Sequence, residues 1–421
     1  MGQHTMKLVL LSLNYAPELT GIGKYNGELC ADLTQRGLDV TAIVAPPYYP
    51  EWQVHSGFRK LWYATDCIDG VKIHRCPTYV PSKVTALKRI IHLVSFSVSA
   101  LFPLIWICRK RPDVFLVIQP TLFCAPMTLI CAKIMGSKCI LHIQDFEIDA
   151  LYGLNSGGEN ILARVARRIE SWLMNRFDMV TTISHSMLSN ALAKGVPEGK
   201  LHLFPNWADT ETIHPQVDSS SLRIAWGLAP EDKVILYSGN IGEKQGLEIV
   251  LDVAEKFLQL SNIKFFLVGS GAAKERLLTA AAQRKLVNII FKPLLSPKEL
   301  PAMLNLADLH LVIQREGFGA AVFPSKLANI LAAGGYAIVT ASQDSELGQL
   351  AATHQGIYRL SAPEDAEQLS LAIEAHFQAD LIQGNEVARN YALNNLSRDQ
   401  IIDDFQHSIL EKVDGTNPPG T

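Results

Sequence analysis

The chain has 421 residues, of which 48% are hydrophobic and 19% charged, with a formal net charge of −3. This length and apolar content predict two packed domains of ordinary size and exclude a largely disordered chain. The slightly negative charge excludes the electrostatic footprint of a nucleic-acid-binding protein. The seven cysteines contain no Cys-x-x-Cys pair, which favours reduced thiols in a cytoplasmic protein over a disulfide framework or a zinc site.

The two ends of the chain are expected to be tails. Residues 1–5 precede a second Met at position 6, and no signal peptide is visible because the apolar run 7–13 is too short. Residues 414–421 are rich in Gly, Pro and Asn and are expected to be loosely ordered.

The first half of the chain alternates apolar runs with helical patterns, and residues 6–205 are predicted to form one domain. Strands are predicted at 7–13, 39–45, 71–75, 113–118, 139–143 and 178–182. Helices are predicted at 25–36, 122–135 and 160–175, and after Ser184. Strands that alternate with helices indicate a parallel sheet that is covered on both faces.

A second α/β pattern begins after residues 203–215, which lack periodicity, and 206–215 is predicted to be the linker. Strands follow at 234–237, 264–268, 288–291, 309–313 and 336–340, which predicts a second doubly wound domain over 216–395. A final amphipathic helix is predicted within 396–413. Because open parallel sheets bind ligands at the carboxyl ends of their strands, two such edges predict a cleft between the domains.

The stretch 316–335 combines a glycine-rich loop that begins at Glu316 with a helix after Pro324. In that helix Ser325 and Asn329 share a face, and Lys326 lies in the first turn. The helix dipole disfavours a cation in the first turn. A bound anion would explain Lys326, since free backbone amides and the ammonium group would both point at it. An ordinary surface lysine beside a helix cap is the alternative.

Glycine loops also follow two other strands of the second half. Gly239 and Asn240 precede Lys244 and a helical segment, and Gly269 follows the next strand. Glycine lets backbone amides approach a phosphate closely. Because Lys244 and Lys326 both stand at helix starts of one sheet, they are predicted to converge on a diphosphate.

A similar loop, with Gly21 and Gly23 before Lys24, follows the first strand of the chain. A nicotinamide-binding fingerprint is disfavoured there for two reasons. Gly21, Gly23 and Gly27 have the spacing Gly-x-Gly-x-x-x-Gly instead of Gly-x-Gly-x-x-Gly, and residues 45–47 include no acidic residue that could bind a ribose. A Walker loop is excluded since Gly-Lys-Ser/Thr is absent. A flexible turn without a ligand remains the alternative.

Three acidic residues follow the strand 139–143. In an extended chain Asp145, Glu147 and Asp149 would alternate onto one face, as oxygen ligands of a metal could. No Asp-x-Asp pair exists in the chain, so no metal is expected, and Asp145 alone is the candidate catalytic carboxylate. His142 is interpreted as a packed histidine rather than a base.

Residues 90–108 form an uncharged, apolar run with cations on both sides: Lys83, Lys88, Arg89, Arg109, Lys110 and Arg111. The run is nearly long enough to span a bilayer. Its basic flanks also suit a helix that lies on an anionic membrane surface. Its place in the α/β pattern suits a buried crossover helix, and all three interpretations stay open.

Three segments carry a resemblance to a known family: 14–25 (Asn-Tyr-Ala-Pro-Glu-Leu-Thr-Gly-Ile-Gly-Lys-Tyr), 45–52 (Ala-Pro-Pro-Tyr-Tyr-Pro-Glu-Trp) and 323–335. They resemble the GT-B-fold glycosyltransferases of family 4, and among these the colanic acid biosynthesis fucosyltransferases. The resemblance covers nearly the whole chain. It implies two Rossmann-like domains that face each other across a cleft, with a C-terminal helix that returns to the first domain.

The resemblance also implies a nucleotide-sugar donor held mainly by the C-terminal domain and an acceptor held mainly by the N-terminal one. It further implies retention of anomeric configuration and no cofactor or obligatory metal. The family pattern has two glutamates eight residues apart, but eight residues after Glu316 stands Pro324. Alignment on Ala-Ala-Gly instead puts Asn329 at the ribose-binding position, and Asn240 stands where an Arg is expected. Lys244 and Lys326 are therefore the residues that the resemblance implies for binding the diphosphate.

The sequence favours a retaining glycosyltransferase, with GDP-fucose as the donor that the resemblance implies and a lipid-linked or growing bacterial exopolysaccharide as the acceptor. We expect a cytoplasmic protein with peripheral contact to the inner face of the membrane and no nucleic-acid partner. One alternative is a non-catalytic nucleotide-sugar-binding or scaffold subunit of a polysaccharide assembly. A nicotinamide-dependent oxidoreductase is the less favoured alternative.

Overall fold

The computed structural model describes residues 5–146, 148–149, 161–315, 323–379, 381 and 384–410, without the side chains of residues 162, 244 and 409. The chain divides into two compact units. The first contains the chain up to Pro205 together with the segment from Ile402 onward, and the second contains Asn206–Ile401.

The first unit is built on an eight-stranded sheet. Its strands are β1 (Lys7–Ser12), β2 (Asp39–Val44), β3 (Ala64–Ile68), β4 (Val71–Arg75), β5 (Val114–Gln119), β6 (Lys138–Ile143), β7 (Met179–Thr182) and β8 (Leu201–Leu203). The strand order is β3-β4-β2-β1-β5-β6-β7-β8. Neighbouring strands are parallel except β3, which pairs antiparallel with β4.

Helices cover both faces of this sheet. They are α1 (Gly21–Gln35), α2 (Ala86–Cys108), α3 (Ala125–Met135), α4 (Ile161–Met174) and α5 (His185–Ala193). The chain moves in one direction from β1 to β2 and in the other from β4 to β5, β6, β7 and β8. Right-handed crossovers therefore place α1 on one face and α2 to α5 on the opposite face.

The central strands are apolar throughout because helices exclude water from both faces of the sheet. All six residues of β5 are buried, and so are five of the six residues of β1. These runs were predicted from the sequence, and the structure confirms parallel pairing between them.

The second unit is built on a six-stranded parallel sheet. Its strands are β9 (Lys233–Ser238), β10 (Ile263–Val268), β11 (Ile289–Lys292), β12 (Leu309–Val312), β13 (Ala337–Thr340) and β14 (Arg359–Ser361). The strand order is β11-β10-β9-β12-β13-β14. From β9 the chain continues to β10 and β11 at one edge of the sheet, and from β12 it continues to β13 and β14 at the other edge. The carboxyl ends of β9 and β12 therefore flank the switch point at which ligands of such sheets bind.

The helices of the second unit connect these strands and end the domain. They are α6 (Ser220–Ala225), α7 (Glu248–Lys256), α8 (Lys274–Gln283), α9 (Leu300–Leu306), α10 (Ser325–Ala332), α11 (Glu346–Thr353), α12 (Ala366–Gln378) and α13 (Glu386–Asn395). Residues 206–215 belong to this unit, where Trp207 is buried and Ala208 pairs with Ser397.

The last described residues, 402–410, belong to the first unit, as expected from the resemblance. Helix α14 (Arg398–Asp404) continues into a π-helical segment, Phe405–Leu410. Asp403 pairs with Arg36 at the end of α1, and the Phe405 ring stacks on Phe204 with ring centroids 4.4 Å apart. The two-domain α/β fold with parallel sheets and a returning C-terminal segment is thus confirmed.

Some element predictions were wrong in detail. Helix α1 begins at Gly21 rather than at Tyr25, so the predicted glycine loop forms the first helical turn. The helix predicted at 122–135 divides into a 3₁₀ turn, Leu122–Cys124, and α3. Pro126 in the first turn of α3 lacks the amide hydrogen that would continue the preceding turn. The short strands β3, β8 and β14 were missed because they lie at or next to sheet edges and are only partly buried.

Candidate functional site

The described loops and helix that contain most of the polar residues singled out in the second half of the sequence lie at the carboxyl edge of the six-stranded sheet. The loop after β9 contains Gly239 and Asn240, and the loop after β10 contains Gly269. The two loops are joined by backbone hydrogen bonds: the Gly239 amide donates to the Val268 carbonyl over 2.9 Å, and the Ile241 amide to Ser270 over 2.8 Å. The structure therefore brings the two predicted glycine loops together.

Glycine is required where these loops touch. A Cβ atom at Gly269 would lie 1.9 Å from the Gly239 carbonyl oxygen, and one at Gly271 would lie 2.3 Å from the Ile241 carbonyl oxygen. Gly239 itself has φ +135°, a conformation that residues with a side chain rarely adopt. The backbone of the two loops can approach this closely only without side chains.

Lys326 lies in the first turn of α10, as predicted, and its ammonium group reaches the loop after β9. Its Nζ donates a hydrogen bond of 2.8 Å to the Tyr237 hydroxyl and lies 4.0 Å from the centroid of that ring. A Cβ atom at Gly239 would lie 3.2 Å from the same Nζ. The strand end, the glycine loop and the helix start therefore meet around the Lys326 ammonium group.

The electrostatics of Lys326 favour a negative ligand. No carboxylate lies within ion-pair distance of its Nζ among the described residues, and the side chain is half-buried. Desolvation lowers the pKa of Lys326 to about 7, and burial raises the pKa of Tyr237. The neutral Tyr237 hydroxyl donates to the Asn240 carbonyl over 2.7 Å, so it cannot neutralise the ammonium group. A partly buried cation without a counter-ion is costly, and an anion at this site would remove that cost.

The start of α10 adds hydrogen-bonding groups to the site. The capping residue Pro324 has no side-chain acceptor, so among the described residues no side chain caps the first amides of α10. Asn329, four residues after Ser325, has a buried Oδ1 atom without a hydrogen-bond partner. An unpaired amide oxygen can accept a hydrogen bond from a hydroxyl group such as that of a ribose.

Three residues at this site were not identified from the sequence. Tyr237 connects Lys326 to the loop after β9. Arg315 follows β12, has a buried Nε without a partner, and pairs with Glu248 over 3.3 Å. Lys274 donates from Nζ to the Gly269 carbonyl over 3.0 Å. Lys274 begins α8 after a glycine loop, the same arrangement that pointed to Lys244 and Lys326, so the pattern could have revealed it.

Two of the predicted donor-binding groups cannot be located. Glu316 lies in 316–322, outside the described residues, as does the side chain of Lys244. The backbone of Lys244 lies in a 3₁₀ turn, Glu243–Gln245, directly after the loop that contains Gly239 and Asn240. The convergence of Lys244 with Lys326 therefore stays a prediction.

In the first unit Gly23 contacts a buried carboxylate. A Cβ atom at Gly23 would lie 2.3 Å from the Glu18 Oε2 atom. The Glu18 carboxylate accepts hydrogen bonds of 3.0 Å from the backbone amides of Tyr48 and Tyr49 and from Asn14 Nδ2. Burial raises the pKa of Glu18. These contacts explain the presence of glycine at position 23 by packing alone, without a bound phosphate. The donor-binding role assigned to Gly21 and Gly23 is untested.

Of the three acidic residues after β6, the structure describes Asp145 and Asp149. Asp145 is exposed, and Glu147 lies outside the described residues. Asp149 is held by Lys194 Nζ over 2.8 Å and by Arg167 Nε over 3.6 Å. Among the residues that the structure describes, no cluster of His, Cys, Asp and Glu could hold a metal ion.

His142 is a packed histidine, as interpreted from the sequence. Its Nδ1 atom lies 2.8 Å from the Thr181 hydroxyl, and its ring packs on Phe204 with centroids 4.9 Å apart. Burial lowers the pKa of His142 to about 3, so the imidazole is neutral. A general-base role has no support in this geometry.

Comparison with known proteins identifies the class that this fold and site define. Residues 20–207 match the family described as a glycosyl transferase 4-like domain, and residues 218–392 match the glycosyl transferases of group 1. The chain is 43% identical to the putative colanic acid biosynthesis glycosyl transferase WcaI of Escherichia coli, over 96% of this chain and all of that protein. The chain therefore belongs to the GT-B glycosyltransferases of the family 4-like group.

Solved structures of low sequence identity share the same fold. Sucrose-phosphate synthase from Thermosynechococcus elongatus superposes with a TM-score of 0.76 at 15% identity, covering 98% of this chain and all of that one. Anabaena HepE in complex with UDP-glucose superposes with a TM-score of 0.69 at 14% identity, covering 96% of this chain and all of that one.

Proposed function

We propose that this protein is a retaining glycosyltransferase of exopolysaccharide synthesis that transfers a sugar from a nucleoside diphosphate to a lipid-linked or growing saccharide. The observation that carries the proposal is Lys326, a half-buried cation at the switch point of the second sheet that has no counter-ion among the described residues. The relationship to a colanic acid glycosyl transferase supports the polysaccharide context.

The chemistry of the transfer explains the position of this cation. When the bond between the sugar and the diphosphate breaks, negative charge develops on the departing diphosphate. Lys326, the free amides at the start of α10 and the backbone of the glycine loops would stabilise that charge, with Lys244 as a second proposed cation. Because these groups supply positive charge themselves, we expect transfer without a cofactor or an added divalent cation.

The nucleoside would lie against the same helix. Asn329 would accept a hydrogen bond from a ribose hydroxyl through its unpaired Oδ1. Asn240, Gly269, Ser325 and Glu316 complete the proposed donor-binding set. GDP-fucose is the proposed donor, on the strength of the resemblance alone, and HepE provides a structural neighbour in complex with UDP-glucose.

The acceptor would be held by the first unit, where Asp145 is exposed after β6. We propose Asp145 as the carboxylate that faces the reacting sugar. The variant Asp145→Asn should then lower kcat with little change in donor affinity, which separates a catalytic group from a binding group.

Helix α2 supports peripheral contact with the cytoplasmic face of the membrane. It is the one helix in the described part of the chain that is long and apolar enough to cross a bilayer. One side of α2 packs inward through residues such as Phe96 and Leu104, whereas Val98 and Phe102 are more than 60% exposed. An apolar face open to solvent between basic flanks suits a helix that lies on a membrane.

A transfer assay with labelled sugars tests the proposal. Purified protein is incubated with radiolabelled GDP-fucose, UDP-glucose or UDP-galactose and a lipid-linked saccharide extract, with and without EDTA. We expect label to enter the lipid fraction from one donor, with the anomeric configuration retained when the product is analysed by NMR. Binding of a nucleotide sugar without transfer would instead indicate a non-catalytic subunit. This is the second candidate function, because Asn329 stands where the family has a glutamate.

A further inference from the structure

Arg315 is a cation at the switch point of the six-stranded sheet to which the proposed function gives no role. It follows the carboxyl end of β12, the strand that pairs with β9. The backbone before it is fixed, because the Thr340 hydroxyl accepts from the Gln314 amide over 2.8 Å and donates to the Gln314 carbonyl over 3.0 Å. The Arg315 side chain can therefore turn while its point of attachment stays in place.

The Arg315 side chain lies against the same loop that Lys326 contacts, the loop after β9. A Cβ atom at Gly246 would lie 2.6 Å from the Cγ atom of Arg315 and 2.9 Å from its Nε. At the other end of this loop, a Cβ atom at Gly239 would lie 3.2 Å from the Nζ atom of Lys326. Two cations, one from the end of β12 and one from the start of α10, therefore meet the loop 239–246 at its two ends.

The ion pair that holds Arg315 is weak, and its acid is shared with another arginine. Arg315 Nη2 lies 3.3 Å from Glu248 Oε2, and the two side chains are 36% and 35% exposed, so water screens the pair. Arg276 contacts the other oxygen of Glu248 and also pairs with Glu243 over 2.7 Å. Glu248 therefore keeps a counter-ion when Arg315 leaves it.

The Nε atom of Arg315 is buried and makes no hydrogen bond within the part of the chain that the structure describes. A buried donor without an acceptor is costly, so this position of the side chain is only partly satisfied. The Nε and Nη2 hydrogens point the same way from one edge of the planar guanidinium group, which matches two oxygens of a phosphate. A phosphate could therefore satisfy Nε and replace the Glu248 contact together.

We propose that Arg315 is a further diphosphate-binding residue, which exchanges Glu248 for a phosphate when a nucleoside diphosphate binds. This inference rests on the proposed function, which puts the diphosphate beside Lys326. The Arg315 side chain turns away from Gly246 so that Nε and Nη2 both donate to the phosphate. The switch point then supplies one cation from each side of the ligand, from β12 and from α10.

The exchange makes two residues that do not touch the ligand control its affinity. Glu248 competes with the phosphate for Arg315, so loss of Glu248 should strengthen binding. Arg276 competes with Arg315 for Glu248, so loss of Arg276 should tighten the resting pair and weaken binding. A network that served only to stabilise the fold would not give these opposite signs.

Calorimetric titration of GDP and UDP into the full chain tests the role of Arg315. We expect Arg315→Gln to bind at least about tenfold more weakly, because charged hydrogen bonds to the phosphate are lost. Arg315→Lys keeps the charge but not the planar fork, so it should recover only part of the affinity. Arg284→Gln is the matched control, since Arg284 pairs with Asp252 and Glu255 in the same unit. It should bind like the unaltered protein.

Two further variants test the exchange itself. Glu248→Gln should bind about threefold more tightly and Arg276→Gln about twofold more weakly, in keeping with the strength of partly exposed ion pairs. In the Arg315→Gln background, Glu248→Gln should have no effect on affinity. Unfolding midpoints without nucleotide, which should stay close to that of the unaltered protein, show that each variant is folded.

Three results would overturn the proposal. These are unchanged affinity in Arg315→Gln, an equal loss in Arg284→Gln, or an effect of Glu248→Gln that is the same with and without Arg315, which would indicate long-range electrostatics. A loss of affinity in Lys326→Ala but not in Arg315→Gln would remove this inference and leave the proposed function standing. Failure of the unaltered protein to bind either nucleotide would overturn both.

Discussion

At the scale of single residues, the chemistry proposed for the second unit depends on Lys326. Its ammonium group is held by Tyr237 above Gly239, and no carboxylate of the described residues neutralises it. A lysine that served only to stabilise the fold would be expected to pair with an acid or to extend into water. Burial of the cation instead lowers its pKa to about 7, which makes its charge responsive to a ligand.

This lowered pKa predicts how binding changes with pH. Above pH 7 the free ammonium group loses its proton, so the affinity for a nucleoside diphosphate should fall by up to about tenfold per pH unit. A bound diphosphate favours the charged form, so binding at pH 8 should take up a proton. Calorimetry in buffers of different ionisation enthalpy measures this uptake, and Lys326→Met is the control that should abolish it. Identical proton uptake in both proteins would assign the titration to another group.

The same pKa shift has a consequence for stability. Between about pH 7 and the ordinary pKa of lysine, the unfolded chain binds more protons at Lys326 than the folded protein does. The contribution of Lys326 should therefore increase the free energy of unfolding as the pH rises through that window. Below pH 7 the buried charge is a cost that Lys326→Met removes.

Gly23 gives a residue-scale test in the first unit. In Gly23→Ala the new methyl group would meet the Glu18 carboxylate at 2.3 Å, so we expect a loss of about 1–3 kcal/mol in the free energy of unfolding. Gly199→Ala is the matched control, since nothing lies within 4 Å of a Cβ atom there. Denaturant unfolding measures both variants. A stable Gly23→Ala protein with weakened nucleotide affinity would place Gly23 at the ligand instead.

At the scale of elements, α2 provides the test of the proposed contact between the first unit and a membrane. Changing Lys83, Lys88, Arg109, Lys110 and Arg111 to Gln should reduce flotation with anionic vesicles, because each cation near the surface contributes about 1 kcal/mol. Arg89 is left unchanged because it lies over the Trp52 ring, 5.1 Å from its centroid.

Three results of that experiment are distinguishable. Salt-sensitive flotation that the substitutions remove would support surface docking. Lack of binding by the unaltered protein would leave α2 as a crossover helix of the core. Extraction only by detergent would make α2 a membrane span.

The success of the sequence-based predictions also differs between elements. The central strands and the position of Lys326 in the first turn of α10 could be predicted, because buried apolar runs and helix starts depend on local sequence. The start of α1 at Gly21 could not, because glycine favours a loop, and because Gly23 packs on Glu18, whose carboxylate is held by the Tyr48 and Tyr49 amides, which are distant in sequence. The role of Tyr237 was hidden for a similar reason, since its partner Lys326 is distant in sequence.

At the scale of the whole molecule, the chain consists of two α/β units, and it returns to the first through α14. Alternation of strands and helices was sufficient to predict two parallel sheets. The return of the C-terminal segment depends on pairings such as Arg36 with Asp403, which no local pattern reveals, and it was expected only from the family resemblance. Assignment of the donor to the second unit likewise depends on one assembled site, the switch point between β9 and β12.

The most direct test of that assignment is calorimetric titration of GDP and UDP into the unaltered protein, Lys326→Ala and Lys326→Arg at pH 7. Charged hydrogen bonds of this kind contribute about 1.5–3 kcal/mol, so we expect Lys326→Ala to bind at least tenfold more weakly while its unfolding midpoint in the absence of nucleotide is maintained. Lys326→Arg should retain part of the affinity, because the positive charge is kept. Equal affinity in all three proteins would contradict the proposal that a nucleoside diphosphate binds beside Lys326.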